Sequence, residues 1–219
     1  METVRDIQNV LYINLERRID RRQMITAELA KLGWIQNPQW FKAIEMDNGA
    51  IGCTISHIKC IEMAKNLNWS HVLICEDDIK FTEPSLFTEN IDKFLSSGIE
   101  WDVILLAGNN VGRYRTTDSG AVQIQMCQTT TGYLVKREYY DKLIYNFKEG
   151  LGKLIREPNL HTKYAIDKYW FHLQRIDRWY LIFPLTVTQQ SAYSDIENRN
   201  TNYDRLMLTL DKSSWFIRK

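Results

Sequence analysis

No run of about eighteen apolar residues occurs in this 219-residue chain, so the sequence predicts no membrane-spanning helix. Charge of one sign is missing too: 28 basic residues stand against 27 acidic ones, a formal net charge of +1. That balance argues against a nucleic-acid binder, whose affinity rests on a basic footprint. The four cysteines (Cys53, Cys60, Cys75, Cys127) lack metal-ligand spacing and lie mostly in apolar contexts. They are read as small buried residues and not as disulfide partners, which suits a reducing compartment. Neither a G-x-G-x-x-G nor a G-x-x-x-x-G-K-[ST] motif is present, which removes the usual dinucleotide and P-loop readings. Internal repeats and low-complexity tracts are absent as well.

What remains is ordinary globular composition, 44% hydrophobic and 25% charged. Its length fits one large domain. The first residues, Met1 to Gln8, are polar and mixed in charge, unlike a signal peptide or anchor, and the expected location is cytoplasmic. Abundant Asn, Ile, Lys and Tyr suit an AT-rich genome, viral or bacterial.

Strand-like and helix-like segments alternate along the chain. Val10–Leu15 reads as a buried strand, followed by a helix over Asp20–Leu32 with Asp20 as its N-cap. Trp40–Ile44 is a short strand, Ala50–Asn66 an amphipathic helix, and His71–Cys75 a third strand. Pro84 starts a helix that Gly98 ends, and Trp101–Ala107 is a fourth strand. Gly108–Gly120 is polar and reads as a mobile loop. Strands over Ala121–Met126 and Thr131–Val135 precede a helix over Arg137–Phe147, after which Gly150 and Gly152 loosen the chain. A helix over Tyr164–Gln174 and a strand-like Trp179–Gln190, broken by Pro184, complete the reading. The alternation argues for an α/β domain with a mostly parallel sheet.

The most informative stretch is Val72-Leu73-Ile74-Cys75-Glu76-Asp77-Asp78, an apolar strand that ends in three consecutive acids. Ligands of open α/β sheets bind just outside the carboxyl ends of their strands. Clustered carboxylates there repel one another unless a cation arrives. Oxygen-only ligands suit Mg²⁺ or Mn²⁺, and a diphosphate is the natural companion of such an ion. A solvated acidic turn is the plain alternative.

Four blocks, in order, resemble glycosyltransferase family 25. They are Ile13-Asn14-Leu15-Glu16-Arg17-Arg18-Ile19-Asp20-Arg21-Arg22, Ile51-Gly52-Cys53-Thr54-Ile55-Ser56-His57, Glu76-Asp77-Asp78 followed by Phe81, and Gln189-Gln190 followed by Ser194-Asp195-Ile196. The resemblance implies a GT-A-type, Rossmann-like fold over residues 1–196 as a single domain, with 197–219 as its extension. It implies metal-dependent, inverting transfer of a galactose- or glucose-type sugar from a nucleotide sugar, with UDP the expected nucleotide. The acceptor would be a glycan, a lipopolysaccharide or a collagen-like hydroxylysine. The link between Ala43 and Gly52 is short against the family's acceptor-side insertion, which leaves the acceptor open. So is the oligomeric state, a homodimer included. A non-catalytic sugar-nucleotide or carbohydrate-binding protein on the same fold is the competing reading.

Roles follow from both arguments. Asp78 is the first choice for metal ligand, with Glu76 its companion, while Asp77 is expected to cap or pair. Asn14, Arg17, Arg18 and Arg22 follow the first strand, and arginine's planar fork suits the diphosphate; Arg21 is expected to face out. Gly52 would allow a close approach of backbone to ligand. A lone histidine such as His57 is more often a satisfied core residue than a ligand, whereas by resemblance Ser56 and His57 belong to the donor-site wall. Inversion needs a general base for the acceptor hydroxyl. Asp167, flanked by apolar and aromatic residues, is preferred over Asp102, which opens a strand, and over Asp195. Tyr169 and Trp170 would stack on a sugar face. Gly132 and Tyr133 match a position near the sugar pocket, and a core role for Tyr133 is equally open.

Overall fold

A computed structural model describes residues 1–194 and 199–212 of the chain. In chain order it contains β1 (Val10–Asn14), α1 (Ile19–Ala30), β2 (Gln39–Lys42), α2 (Gly49–Asn66), β3 (His71–Glu76), β4 (Ile79–Phe81) and α3 (Pro84–Ser96). Next come β5 (Val103–Leu105), β6 (Asn109–Asn110), β7 (Tyr114–Thr116), β8 (Ala121–Ile124), β9 (Cys127–Gln128), β10 (Gly132–Lys136) and α4 (Tyr140–Arg156). The last are α5 (His161–Tyr164), α6 (Ile166–Tyr169), α7 (Phe171–Ile176), β11 (Trp179–Ile182), β12 (Val187–Gln189), β13 (Ala192–Ser194), β14 (Arg199–Thr201) and α8 (Asp204–Met207).

Strand β3 explains the layering. Its alternate residues enter different cores: Leu73 and Cys75 join one apolar cluster, Val72 and Ile74 the other. The first cluster takes Ile25 and Leu29 from α1 and Phe87, Ile91 and Phe94 from α3. The second takes Ile58 and Ile61 from α2 and Leu143 and Phe147 from α4. A strand covered on both faces has no polar side, hence the unbroken apolar run. Each such side chain withdrawn from water contributes about 2 kcal/mol before entropy is counted.

The main sheet has eight strands in the order β2-β1-β3-β10-β5-β11-β8-β7. β1 pairs in parallel with β2 and β3, and β5 with β11. β10 and β8 run against their neighbours, so the remaining strands share one direction. The expected mixed α/β architecture with a mostly parallel sheet is what the chain forms. Because β10 enters antiparallel beside β3, Gly132 lies opposite Cys75. The chain just before β10 therefore lands beside the acidic strand end.

Several local expectations change. Asp20 does not cap α1: Arg18 occupies the N-cap, and Asp20 pairs with the Arg18 guanidinium at 2.8 Å. Gly108–Gly120 is not a structureless loop; β6 pairs with β9 and β7 with β8. Asn110 Nδ2 also donates to the carbonyls of Gly112 and Leu210, so polarity here marks a hydrogen-bonded sheet edge. α4 continues through Gly150, where a Cβ would lie 2.8 Å from the Tyr169 ring, so glycine there lets α6 pack. The helix expected over Tyr164–Gln174 is broken into α5, α6 and α7.

Candidate functional site at the carboxyl end of the sheet

The three consecutive acids have three different environments. Glu76 ends β3, where its Oε1 accepts from Thr130 Oγ1 at 2.7 Å and Cys53 Sγ at 3.6 Å, and meets His57 Nε2 at 3.1 Å. Its Oε2 has no hydrogen bond among the described residues. Burial pushes Glu76 upward, but the bond and charge of His57, then Thr130 and Cys53, more than offset it, leaving the carboxyl below its ordinary range. The other ring nitrogen of His57 lies 3.0 Å from the Tyr133 hydroxyl, and both rings are fully buried. Tyr133 is thus a core residue that also fixes the histidine. Cys53, His57 and Glu76 present ligand atoms all within 4.8 Å of one another. Cys53 and His57 are one helical turn apart on α2, a spacing that places both on one face.

Asp77 pairs, as expected of it, but with an unexpected partner. Its Oδ1 accepts from Arg21 at 2.8 Å and its Oδ2 from Asn14 Nδ2 at 2.7 Å. Arg21 is therefore turned inward, its side chain 12% exposed, and does not face out. Burial lifts Asp77 above the usual range, and Arg21 and Asn14 offset only part of the rise.

Asp78 is the exception. Its Oδ1 is buried and has no hydrogen-bond partner among the described residues. Burial, then the charges of Glu76 and Asp77, push its carboxyl up to about 8. Its backbone is held, since its carbonyl accepts from the Gln190 N–H at 2.6 Å. Gln190 Nε2 in turn donates to the buried Glu28 at 3.1 Å. A buried carboxyl oxygen without a partner among the described residues, on a segment whose backbone is held, beside a second carboxylate fits a hard divalent cation.

The basic segment after β1 divides its labour. Asn14 is 1% exposed and donates to Arg18 O at 2.9 Å and to Asp77, while its Oδ1 accepts from Arg22 Nε at 3.1 Å. It is a hub inside the protein. Arg22 lies 3.6 Å over the Trp40 ring. Arg18 holds Asp20 down to about 2 through their hydrogen bond. Arg17, half exposed, pairs with Glu45 at 2.7 Å. It shares an open cleft of about 520 Å³ with Glu16, Lys42, Ala43, Ile44 and Glu45.

Gly52 and Ser56 serve the chain's own backbone. A Cβ at Gly52 would stand 2.4 Å from the Ile44 carbonyl oxygen, so what approaches Gly52 is the segment after β2. Ser56 Oγ donates to Gly52 O and accepts from the Ile44 N–H, both at 2.8 Å. Together they pin one wall of the Arg17 cleft.

Asp167 lies in the first turn of α6. Its Oδ2 accepts from the Thr129 N–H at 3.1 Å and pairs with Lys168 at 3.3 Å. The neighbouring Thr130 holds Glu76, so residues 129–130 join Asp167 to the acidic strand end. The Asp167 charge also adds, after burial and Glu76, to holding the Cys53 thiol well above its ordinary value. Trp170 is fully buried, with its Nε1 donating to Cys127 O at 2.9 Å, and is unavailable to a sugar; burial against Trp179 and Phe147 decides its place. Tyr169 is engaged with Lys153 and Gly150. Asp102 pairs with Arg178 at 2.6 Å. Its place just before β5 puts it at the opposite end of the sheet from the acids. Asp195 lies outside the described residues. Sequence reasoning missed Arg21, Thr129 and Thr130, and valued Cys53 only as packing.

The family model for glycosyltransferase family 25 (LPS biosynthesis protein) matches residues 40–153. That stretch holds Gly52, Ser56, His57, Glu76 and Asp78. A glycosyltransferase 25 family member of Anopheles gambiae is 29% identical, aligned over 74% of this chain and 31% of its own length. A human protein named inactive glycosyltransferase 25 family member 3 is 23% identical over 73% of this chain and 30% of its own. The chain thus spans about a third of the length of these relatives. Among solved structures, a mannose-1-phosphate geranyltransferase of Thermus thermophilus matches with a TM-score of 0.48 and 10% identity, over 83% of this chain and 74% of that one.

Proposed function

Because the chain belongs to glycosyltransferase family 25, we propose that it transfers a hexosyl group, of galactose or glucose type, from a UDP-sugar to a hydroxyl of a glycan, lipopolysaccharide or collagen-like hydroxylysine. The observation that carries this reading is Asp78. Its buried, unpartnered Oδ1 sits at the carboxyl end of the sheet, where a ligand of such a fold binds. Asp78 and the free Oε2 of Glu76 would hold Mn²⁺ or Mg²⁺. When bound, that ion neutralises the diphosphate leaving group as a Lewis acid.

The chain's own residues do the rest. Thr130, His57 and Cys53 hold Glu76 ionised and oriented with one oxygen outward. Asn14 and Arg21 keep Asp77 turned away from the ligand side. Arg17 and Lys42 line the adjoining cleft and supply cationic groups for phosphate oxygens. Asp167, one segment from Glu76, would accept the proton of the attacking hydroxyl, with inversion at the sugar carbon.

One observation favours the binding-protein alternative: Asp167 is already paired with Lys168. The two readings separate in a panel of UDP- and GDP-sugars assayed with Mn²⁺ for thermal shift and nucleoside diphosphate release. The transferase reading expects turnover in wild type. Asp167→Asn should lose turnover and keep the donor-induced shift; Asp78→Ala should lose both. A folded wild type with a donor shift and no turnover on any hydroxyl acceptor would select the binding protein. No shift with any nucleotide would overturn both.

A further inference from the structure

Two described residues other than glycine have positive φ, Asn68 at 56° and Thr129 at 77°. Asparagine tolerates the left-handed region, but a β-branched residue there crowds its own backbone. Such a conformation persists only when the surroundings hold it, and these outliers gather at functional sites. The Thr129 side chain gains no hydrogen bond among the described residues, since its Oγ1 is buried without a partner there. What the conformation achieves is on the backbone. The Thr129 N–H donates to Asp167 at 3.1 Å. The next residue, Thr130, donates its hydroxyl to Glu76 at 2.7 Å. The third, Thr131, accepts the Glu76 N–H on its carbonyl at 2.9 Å. Three consecutive residues between β9 and β10 therefore grip both acids, one from α6 and one from β3.

We propose that Thr129 is a positioning residue, its strained backbone and the Thr130 hydroxyl forming one clamp that sets the separation of Asp167 from the acidic end of β3. This rests on the reading above, in which Asp167 accepts the acceptor's proton and Glu76 faces the donor. A segment built only to turn the chain would be served better by glycine or asparagine, which enter the left-handed region at little cost. Threonine there keeps the left-handed conformation only while the Thr129 N–H stays on Asp167 and the Thr130 hydroxyl on Glu76.

The test uses the whole chain and two readouts. The first is turnover. Thr129→Gly keeps the fold with a Tm at or above wild type, yet loses about tenfold in kcat, since small misplacements of a reacting group cost that much or more. Donor KM should stay within twofold. Thr129→Asn, which prefers the left-handed region, should recover most of the lost kcat. The second readout is amide exchange, which needs no activity. The Thr129 amide should be protected in wild type and lose at least tenfold of that protection in Asp167→Ala, while the Glu76 amide stays protected. Equal kcat for Thr129→Gly and wild type overturns the inference, and so does a freely exchanging Thr129 amide in wild type. If wild type turns over no donor, the proposed function fails separately, and the clamp then stands or falls on the exchange result.

Discussion

Glu76 and Asp78, two residues apart, are opposite solutions to the same problem. Around Glu76 one oxygen is richly held: a thiol, an imidazole and a hydroxyl converge on Oε1, and a buried tyrosine secures the imidazole. Around Asp78 the protein supplies a held backbone and, among the described residues, no partner for Oδ1. The first carboxyl is held below its ordinary range and the second is pushed up to about 8. A buried group that is fully hydrogen-bonded contributes to the fold, whereas one left bare costs free energy. The difference marks Glu76 as part of the scaffold that also presents one oxygen, and Asp78 as the place where something external completes the structure.

The contrast can be broken from the saturated side first. His57→Ala removes a partner from both Glu76 and Tyr133 and leaves a cavity, so denaturant unfolding should show a loss of about 3–4 kcal/mol. Arg21→Met strips Asp77 of its charge partner, and the same measurement should show about 2–3 kcal/mol, moderated because the pair is not wholly buried. Gly52→Ala drives a methyl group into the Ile44 carbonyl and should cost about 2 kcal/mol. Donor affinity should fall with it, because the Arg17 cleft wall moves.

On the unsaturated side the sign reverses. A carboxyl whose folded value is raised holds its proton in the native state between its ordinary 3.8 and about 8, while the unfolded chain has released it. Stability of the metal-free protein therefore falls as pH rises through that window. Asp78→Asn does not titrate. It should raise metal-free stability at pH 8 by about 1–2 kcal/mol, and by less at pH 5, in paired thermal melts. A variant that stabilises the protein and abolishes its cation response is the signature of a site kept for function.

The two halves of this comparison were unequally legible in the sequence. β1, α1, α2 and β3 follow from apolar periodicity, and the strand-end position of the acids follows from β3. Cys53 and His57 were readable as one helical face from their spacing. The inward turn of Arg21 is not legible, because its partner Asp77 lies in the turn after β3, and helical spacing from Arg17 says nothing about that. Proximity to Asp167 points Trp170 toward a sugar pocket, while only the packed structure reveals that Trp179, Phe147 and the Cys127 carbonyl hold it inside. Thr129 carried no signal, since nothing in a threonine announces a left-handed backbone. The orphaned oxygen of Asp78 is likewise a fact of three dimensions: the sequence shows three acids in a row, and only the fold shows which of their oxygens is buried without a partner among the described residues.

The most direct test of this account is a Mn²⁺ titration in the presence of UDP, followed by thermal melts at pH 7.5 on wild type and Asp78→Asn. Wild type should rise with the ion toward about 2.7 kcal/mol of added stability at a hundredfold excess over its dissociation constant. Asp78→Asn should start higher and stay flat. Equal Mn²⁺ responses in the two proteins would contradict the assignment of Asp78 as the residue that waits for a cation.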